Sequence, residues 1–450
     1  MKINPDIFRA YDIRGKYPEE INEEVAYKIG RAFVDFLNKK NKSKLKIIVG
    51  QDMRLSSPSL SKAIIEGIIK GGADVIDVGL STTPMTYFGV VAYSFDGGIS
   101  VTGSHIPKDY NGFKLVREKA TPISEKSGIK DIKKLAMEGS FVEKPLGKIS
   151  KKKILNDYIN HSLRFKKEKI NNLKIVVDAG NAMGGLILPI FFKKIKCEII
   201  PLYFKLDGSF PNHPPDPLEP KNLIDLQKKM LEVGADLGIA LDGDADRVFF
   251  IDEKREIIGA DFVTALIAKV LLKNNFGEKI LYDLRSSLTV KEEIQTNNGI
   301  PIISRVGHSF IKEKMRKNNI LFGGETSGHY YLRENYFIES TLIVILKVLE
   351  IISQEGKPFS EIIQPLKRYF SSGEINFQVK NKEKKINLIR EKYKSAKNIY
   401  NLDGLSVENE DWWFNVRPSN TENFLRLNLE AKTKELMEEK KKELSALIEK

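Results

Sequence analysis

The residues with the clearest chemistry are Asp242-Gly-Asp-Ala-Asp-Arg. Three carboxylates at alternate positions, separated by small residues, let one turn converge on a hard cation that prefers oxygen ligands. A calcium EF-hand is one rival, since Glu253 falls at its twelfth position. Against it, Arg247 stands where that loop requires glycine, and Val248-Phe-Phe-Ile reads as a strand rather than a loop between helices. A solvated acidic turn is the plainer alternative. Aspartates that fill only part of an octahedron suit Mg²⁺, which leaves room for phosphate oxygens and water.

Three other polar loops carry reactive groups. Ser104 lies in Thr102-Gly-Ser-His-Ile-Pro; alone it also fits a turn or a helix-capping serine. No G-x-S-x-G elbow surrounds it, which argues against acyl transfer. A serine that carries a phosphoryl group needs cations nearby, and Mg²⁺, Arg247 and Lys114 would supply them. Gly323-Gly-Glu-Thr-Ser-Gly-His puts a carboxylate, two hydroxyls and an imidazole on one turn. That mixture suits sugar hydroxyls, which both donate and accept, although a structural glycine turn fits as well. His308, in Arg305-Val-Gly-His-Ser, is ambiguous alone. Arg417-Pro-Ser-Asn-Thr offers a guanidinium, hydroxyls, an amide and backbone N–H groups, the donors a phosphate dianion requires.

A repeat positions these loops. Lys46-Ile-Ile-Val-Gly reads as a strand, followed by an amphipathic helix over 58–71 with Ser57 as N-cap and Pro58 at its start, then strands over 73–78 and 98–101. The order recurs with Lys174-Ile-Val-Val-Asp, 197–202 and 236–241, and again with Lys279-Ile-Leu-Tyr-Asp, 300–304 and 319–322. Each third strand runs into one of the glycine-bearing loops. Strands alternating with helices imply α/β layers with mostly parallel pairing, and such sheets bind ligands beyond the carboxyl ends of their strands. After about Pro365 the pattern changes to strands at 373–379, 412–416 and 424–429 with helices at 382–396 and 432–450, a smaller α+β domain.

Composition narrows the class. At 450 residues the chain should form three or four domains, and 41% hydrophobic with 30% charged residues describes a globular protein. The net charge of +13 is spread as lysine among glutamates; even its densest run, 380–397, alternates with Asn, Glu and Ile. A mild field for anionic substrates fits better than nucleic-acid binding, so no nucleic acid is expected. The stretch 342–352 is broken by Lys347 and Glu350, so no membrane span is expected. One cysteine, Cys197, and no signal-like start imply a cytoplasmic protein without a disulfide.

Taken together and in order, the four loops resemble the α-D-phosphohexomutase superfamily, specifically its phosphomannomutase/phosphoglucomutase branch. The resemblance runs from Phe8-Arg-Ala-Tyr-Asp-Ile-Arg-Gly to the turn at Arg417. It implies three topologically related α/β domains with mixed, mostly parallel sheets, plus a C-terminal α+β domain akin to the TATA-binding protein, around one cleft. The expected boundaries are 1–148 for the phosphoserine loop, 149–252 for the metal loop, 253–364 for the sugar-binding loop and 365–450 for the phosphate-binding loop.

Residue by residue, the resemblance makes Ser104 the phosphoserine, completing a Mg²⁺ shell with Asp242, Asp244 and Asp246. Arg14, Lys114, Arg247, His308 and His329 match positions linked to catalysis; Tyr11 and Arg285 match substrate contacts. Glu325, Thr326, Ser327 and Gly328 match the sugar loop, and Arg417, Ser419, Asn420 and Thr421 the phosphate clamp. The departures are Ile106 for the usual Asn, Ala245 for Gly, Arg285 for the Lys of some members and Asn423 for Pro; an arginine at 285 suits phosphate contact rather than proton transfer. Ser-Asn-Thr-Glu in the clamp and Thr326 favour the mannose/glucose branch over phosphoglucosamine mutases. The implied activity interconverts hexose 1-phosphate and hexose 6-phosphate, mannose and/or glucose, through a hexose 1,6-bisphosphate intermediate and activator, in a monomer or homodimer. The alternatives are a phosphoglucosamine mutase, a catalytically silent phosphosugar-binding paralogue, and a phosphatase leaking phosphoryl to water.

Overall fold

The computed structural model describes residues 3–38, 44–419 and 424–449. The chain divides into two compact units: Met1–Ile258 with Met315–Asn319 and Ser327–Ile362, and Gly259–Lys314 with Ile320–Thr326 and Ile363–Lys450.

The first unit holds two sheets of matching order. In one, Ile13–Lys16, Tyr110–Arg117, Gly97–Val101, Lys46–Gln51, Asp74–Leu80 and Ile149–Lys151 lie side by side, with Thr121–Pro122 added to Tyr110–Arg117. Lys46–Gln51 runs parallel to both neighbours, whereas Tyr110–Arg117 returns antiparallel to Gly97–Val101. The strand is buried through Ile47–Gly50 because both faces are covered. Ile47 and Val49 join the core under helices Glu23–Leu37 and Ser57–Lys70; Ile48 points the other way, against Gly89 of helix Thr83–Ala92. The second sheet repeats the order with Ile257–Ile258, Val248–Ile251, Leu237–Leu241, Lys174–Asp178 and Glu198–Leu202. Again the central strands are parallel and Val248–Ile251 returns antiparallel. In both sheets the reactive loop is thus the connection from a buried parallel strand to its antiparallel neighbour, gripped at both ends by ladder hydrogen bonds.

The second unit contains parallel strands Ile300–Ser304, Lys279–Asp283 and Phe322–Gly324 in that order. It also contains an antiparallel sheet of Phe370–Gln378, Phe424–Ala431, Trp412–Pro418, Leu405–Glu408 and Asn398–Tyr400. Phe414, Val416, Leu425, Leu427 and Leu429 pack there against Ile389, Leu444 and Ile448 of helices Lys382–Lys392 and Lys434–Glu449.

Several expectations shift. The helix starts at Ser57 instead of being capped by it, because the Ser57 hydroxyl donates to Asp52. The strand placed over 319–322 is Phe322–Gly324, masked by two glycines that disfavour strands. A Cβ at Gly324 would come within 2.0 Å of the Thr264 hydroxyl. Strands Asn398–Tyr400 and Leu405–Glu408 were not expected, and the helix placed over 382–396 stops at Lys392. The apolar segment 342–352 is a buried helix whose Lys347 donates to Glu350 and the Phe165 carbonyl, both at 2.8 Å. Among the described residues no helix is long and apolar enough to cross a membrane.

The loop that follows Glu198–Leu202 is tied down by a histidine with two acceptors. His213 Nε2 lies 3.0 Å from Asp178 Oδ2, and its Nδ1 lies 2.8 Å from the Pro214 carbonyl. Only the imidazolium satisfies both. Burial pushes this imidazole down, but the Asp178 carboxylate and the Pro214 carbonyl outweigh it and raise its pKa. A raised histidine stabilises fully below its unfolded value of about 6.5 and loses that contribution as pH climbs through the folded value. The expected outcome is a lower urea midpoint at pH 9 than at pH 6, with His213→Gln flattening the difference. An unchanged pH response in the variant would show that this pair is not the cause.

Candidate active site

Ser104 leaves the strand Gly97–Val101 in the left-handed region, at φ 48°. Its N–H donates to Thr102 Oγ1 at 2.8 Å, and its hydroxyl donates to Asp242 Oδ2 at 2.8 Å, with His105 Nδ1 at 3.2 Å. What holds this conformation is Arg54, whose side chain is wholly buried. Its guanidinium donates to the carbonyls of Ser104 (2.9 Å), Pro107 (2.6 Å), Tyr110 (2.9 Å) and Ile106. One side chain thereby satisfies four carbonyls of one loop, the fork geometry that arginine offers and lysine does not. Gly103 must be glycine, since a Cβ would lie 2.4 Å from Arg54 Nε.

The aspartate turn faces Ser104. Asp242 Oδ1 accepts from the N–H groups of Asp246 and Arg247, both at 3.1 Å, which folds the six-residue turn back on itself. Ala245 pays a conformational cost at φ 56°, where glycine is at ease. A Cβ on Gly243 would meet the Ser104 carbonyl at 2.1 Å, so the two loops touch backbone to backbone. The carboxylates of Asp242, Asp244 and Asp246 each offer an oxygen within 4.8 Å of the others, all buried. Lys114 Nζ bridges Asp244 Oδ2 at 2.7 Å and Asp246 Oδ2 at 2.6 Å. Thr83, at the start of helix Thr83–Ala92, donates its hydroxyl to Asp244. Arg247 Nε is 3.9 Å from both Asp242 and Asp246.

With all three aspartates ionised, Lys114 and Arg247 leave one negative charge in a buried place. At the 4.8 Å limit that bounds these oxygens, two carboxylates repel by roughly 3.5 kcal/mol at an effective dielectric of 20. Burial, and then Asp246 and Asp244, push Asp242 well above the usual carboxylate range. Burial acts upward on Asp246 too, but Lys114, His329 and Arg247 outweigh it and hold it well below. Burial would lower Lys114, yet Asp244 and Asp246 hold it well above its ordinary value. Asp244 Oδ1 is buried with no hydrogen-bond partner among the described residues. An all-oxygen donor set, an unused buried oxygen and a negative balance fit a small divalent cation.

Around this cluster, Arg14 is held by a bidentate pair with Asp12, at 3.2 and 2.7 Å. His105 is kept well below its ordinary pKa by burial and then by Arg247, Arg14 and Lys114. Tyr11 acts electrostatically on Arg14. His329 Nδ1 lies 3.0 Å from the Ser327 hydroxyl, and its Nε2 lies 3.2 Å from Asp246 Oδ1 and 3.4 Å from Arg247 Nε. It donates to the carboxylate when protonated at Nε2 and accepts from the guanidinium in the other tautomer. The first unit therefore gathers Ser104, Asp242, Asp244, Asp246, Lys114, Arg14, Arg247 and His329; a Cβ at Gly328 of the same unit would meet Phe249.

The second unit gathers a different set around Asp283. This buried carboxylate accepts from Arg285 N (2.7 Å), Nε (3.2 Å) and Nη2 (2.9 Å), and from Thr326 N (2.8 Å) and Oγ1 (3.0 Å). It thus aims Arg285 and braces the loop that carries Glu325, which accepts from Gly307 N at 3.3 Å. His308 opens helix His308–Asn318 and is buried. Arg417 lies near the end of the strand Trp412–Pro418 and Ser419 just beyond it, and both are buried; Asn420 and Thr421 lie outside the described residues.

Arg54, Thr83, His105, Asp283 and Glu374, the last paired with Arg417, were not among the residues expected for the site. A signal for two of them exists. Each repeat ends its first strand region on an aspartate that accepts from the N–H two residues on: Arg54 N to Asp52 (3.0 Å), Gly180 N to Asp178 (2.8 Å), Arg285 N to Asp283 (2.7 Å). Asp52-Met-Arg54 and Asp283-Leu-Arg285 are thus the same motif in two copies.

Comparison with known proteins adds the following. Sequence profiles of the phosphoglucomutase/phosphomannomutase family match in chain order: alpha/beta/alpha domain I over 5–143, domain II over 156–256, domain III over 260–369, and the C-terminal domain over 374–447. A phosphomannomutase of Vibrio cholerae is 39% identical, with 98% of each chain covered. One from Escherichia coli K12 is 38% identical over 94% of both. The crystal structure of a phosphoglucomutase/phosphomannomutase family protein from Burkholderia thailandensis superposes with a TM-score of 0.91 at 32% identity, covering 99% of this chain and 97% of its own.

Replacing Arg54 by lysine should leave at least one or two of the four carbonyls without a donor, at roughly 1–3 kcal/mol each. We expect a loss of about 2 kcal/mol or more in urea unfolding and faster amide exchange over 103–110, measured by hydrogen-exchange mass spectrometry. Wild-type protection of that loop in Arg54→Lys would contradict the latch.

Proposed function

The chain belongs to the phosphoglucomutase/phosphomannomutase family and is a phosphohexomutase, an isomerase with a phosphosugar substrate; from that premise we propose that it interconverts mannose and/or glucose 1- and 6-phosphates through a phosphorylated Ser104. The observation that carries this reading is the Ser104 hydroxyl lying 2.8 Å from Asp242 inside a buried, cation-ready cluster. Asp242, Asp244, Asp246 and the phosphate on Ser104 would hold Mg²⁺, which supplies charge neutralisation for the group in transfer.

Ser104 gives its phosphoryl group to the free hydroxyl of a hexose monophosphate, whose proton leaves to a base. The 1,6-bisphosphate then returns its other phosphoryl to Ser104 and leaves as the isomeric monophosphate. Lys114, Arg14 and Arg247 offset phosphate charge, and His329 and His308 are assigned to proton transfer. Tyr11 and Arg285 contact substrate; Arg285, pinned by Asp283, is a fixed cation and suits phosphate. Glu325 and Ser327, with Thr326 and Gly328 shaping the loop, read the sugar's 3- and 4-hydroxyls. Arg417, Ser419, Asn420 and Thr421 clamp the phosphate that is not transferred. The proposed domains are 1–148, 149–252, 253–364 and 365–450, in the order of the four matched segments.

A coupled assay separates this reading from its rivals. Glucose 1-phosphate with catalytic glucose 1,6-bisphosphate should yield glucose 6-phosphate and little free phosphate, with no rate after EDTA until Mg²⁺ is restored. Ser104→Ala should keep the fold and lose more than about a thousandfold in rate. Free phosphate as the main product would make the protein a phosphatase, and no product at all a silent relative.

Specificity follows from the residues assigned to the sugar. Mannose and glucose differ at the 2-hydroxyl, which Glu325 and Ser327 are not proposed to read. No buried group is then left unpaired by the wrong epimer, so discrimination should be weak. We expect kcat/KM for mannose 1-phosphate and glucose 1-phosphate within roughly 10–100-fold of each other. Galactose 1-phosphate, inverted at C4, should be far poorer. Comparable rates on the galactose compound would show that this loop does not read those hydroxyls.

A further inference from the structure

Arg417 already has an anion. Its Nη2 donates to Glu374 Oε2 at 2.7 Å, while the other oxygen of the same carboxylate lies 3.3 Å from Arg426 Nη1. Glu374 sits where the strand Phe370–Gln378 slips register between Ser371 and Glu374, directly across from Asn428, and Arg417 is directly across from Arg426. Asn428 Nδ2 is 3.5 Å from the carboxylate. Burial pushes Glu374 up, but Arg417, Arg426 and Arg285 outweigh it and lower its pKa. One carboxylate thus serves two guanidiniums in contact, Arg417 and Arg426, a surplus of one positive charge; Arg285, the third, is already paired with Asp283.

The Arg417 side chain is 7% exposed and the Glu374 side chain 30%, so the carboxylate covers the guanidinium from the more open side. The contact is a single N–H···O on a terminal nitrogen, not the two-pronged fork that best orients an arginine. Arg417 Nε is buried and has no hydrogen-bond partner among the described residues. A phosphate dianion brings a second negative charge and a third oxygen to the same donors. It is better matched to this cluster than the carboxylate is.

We propose that Glu374 is a built-in competitor for phosphate, occupying Arg417 until a substrate phosphate displaces it. This rests on the reading of Arg417 as part of the phosphate clamp. The consequence is a clamp set to let go. A mutase must release one phosphate of its bisphosphate and grip the other without losing the molecule. A carboxylate that refills the arginine lowers the cost of each release.

The test is phosphate affinity in a two-by-two set of full-length variants: wild type, Glu374→Gln, Arg417→Ala and the double variant. Binding of inorganic phosphate and of glucose 1-phosphate is measured by titration calorimetry, with circular dichroism to confirm folding. Glu374→Gln removes the charge at constant shape and should tighten binding about tenfold, or ~1.4 kcal/mol. In the Arg417→Ala background the same change should bring no gain. Unchanged or weaker binding in Glu374→Gln would make Glu374 a bystander or an orienter of Arg417 and overturn the proposal. Unaltered binding in Arg417→Ala alone would instead overturn the clamp itself, an outcome the four-way comparison reports separately.

Discussion

The interaction on which the first unit turns is mutual repulsion among Asp242, Asp244 and Asp246, packed within 4.8 Å and out of water. Left alone, such a trio would drive its own turn open. The scaffold answers with short-range ties. Asp242 Oδ1 takes two backbone N–H groups, Lys114 bridges the other two carboxylates, and Thr83 caps Asp244 from a neighbouring helix. Lys114 arrives there because Ser100 pairs with it across the ladder, in the strand that leaves the Ser104 loop. Sheet register, helix start and turn geometry thus converge on one electrostatic problem, which a divalent cation and a phosphate would complete.

Ser104, the proposed phosphoryl carrier, is fixed by an equally local device. Ser104 occupies a left-handed backbone conformation that costs about 1–3 kcal/mol for a residue with a Cβ. Arg54 offsets that by binding four carbonyls of the loop at once. Its counterpart in the second unit, Arg285, follows the same Asp-X-Arg turn but is drawn onto its own aspartate. One turn geometry in duplicated copies therefore serves two ends: a structural latch in one and an aimed cation in the other.

Much of this was legible in the chain. The alternate aspartates could be read because a metal-binding turn needs its ligands close in sequence, and the repeated β-branched strands because a doubly covered sheet needs unbroken apolar runs. Arg54 was harder to see, since its carbonyl partners lie some fifty residues away and only the Asp-X-Arg turn it shares with Arg285 marks it. Glu374 looked like any exposed strand residue until the register put Arg417 and Arg426 beside it. Strands Asn398–Tyr400 and Leu405–Glu408 are short and follow a lysine-rich helix, so only their pairing with each other, and of Leu405–Glu408 with Trp412–Pro418, defines them. Phe322–Gly324 was hidden by two glycines, one of which, Gly324, is required by close packing against Thr264.

The central claim is that Ser104 stores the phosphoryl group between the two halves of the reaction. Peptide-resolved mass spectrometry after one equivalent of glucose 1,6-bisphosphate tests it most directly. The account predicts one phosphate, on the peptide that contains Ser104, discharged in step with bisphosphate formation when a hexose monophosphate is added. Turnover with Ser104 unmodified at every time point, or a phosphate discharged from any other residue, would contradict it.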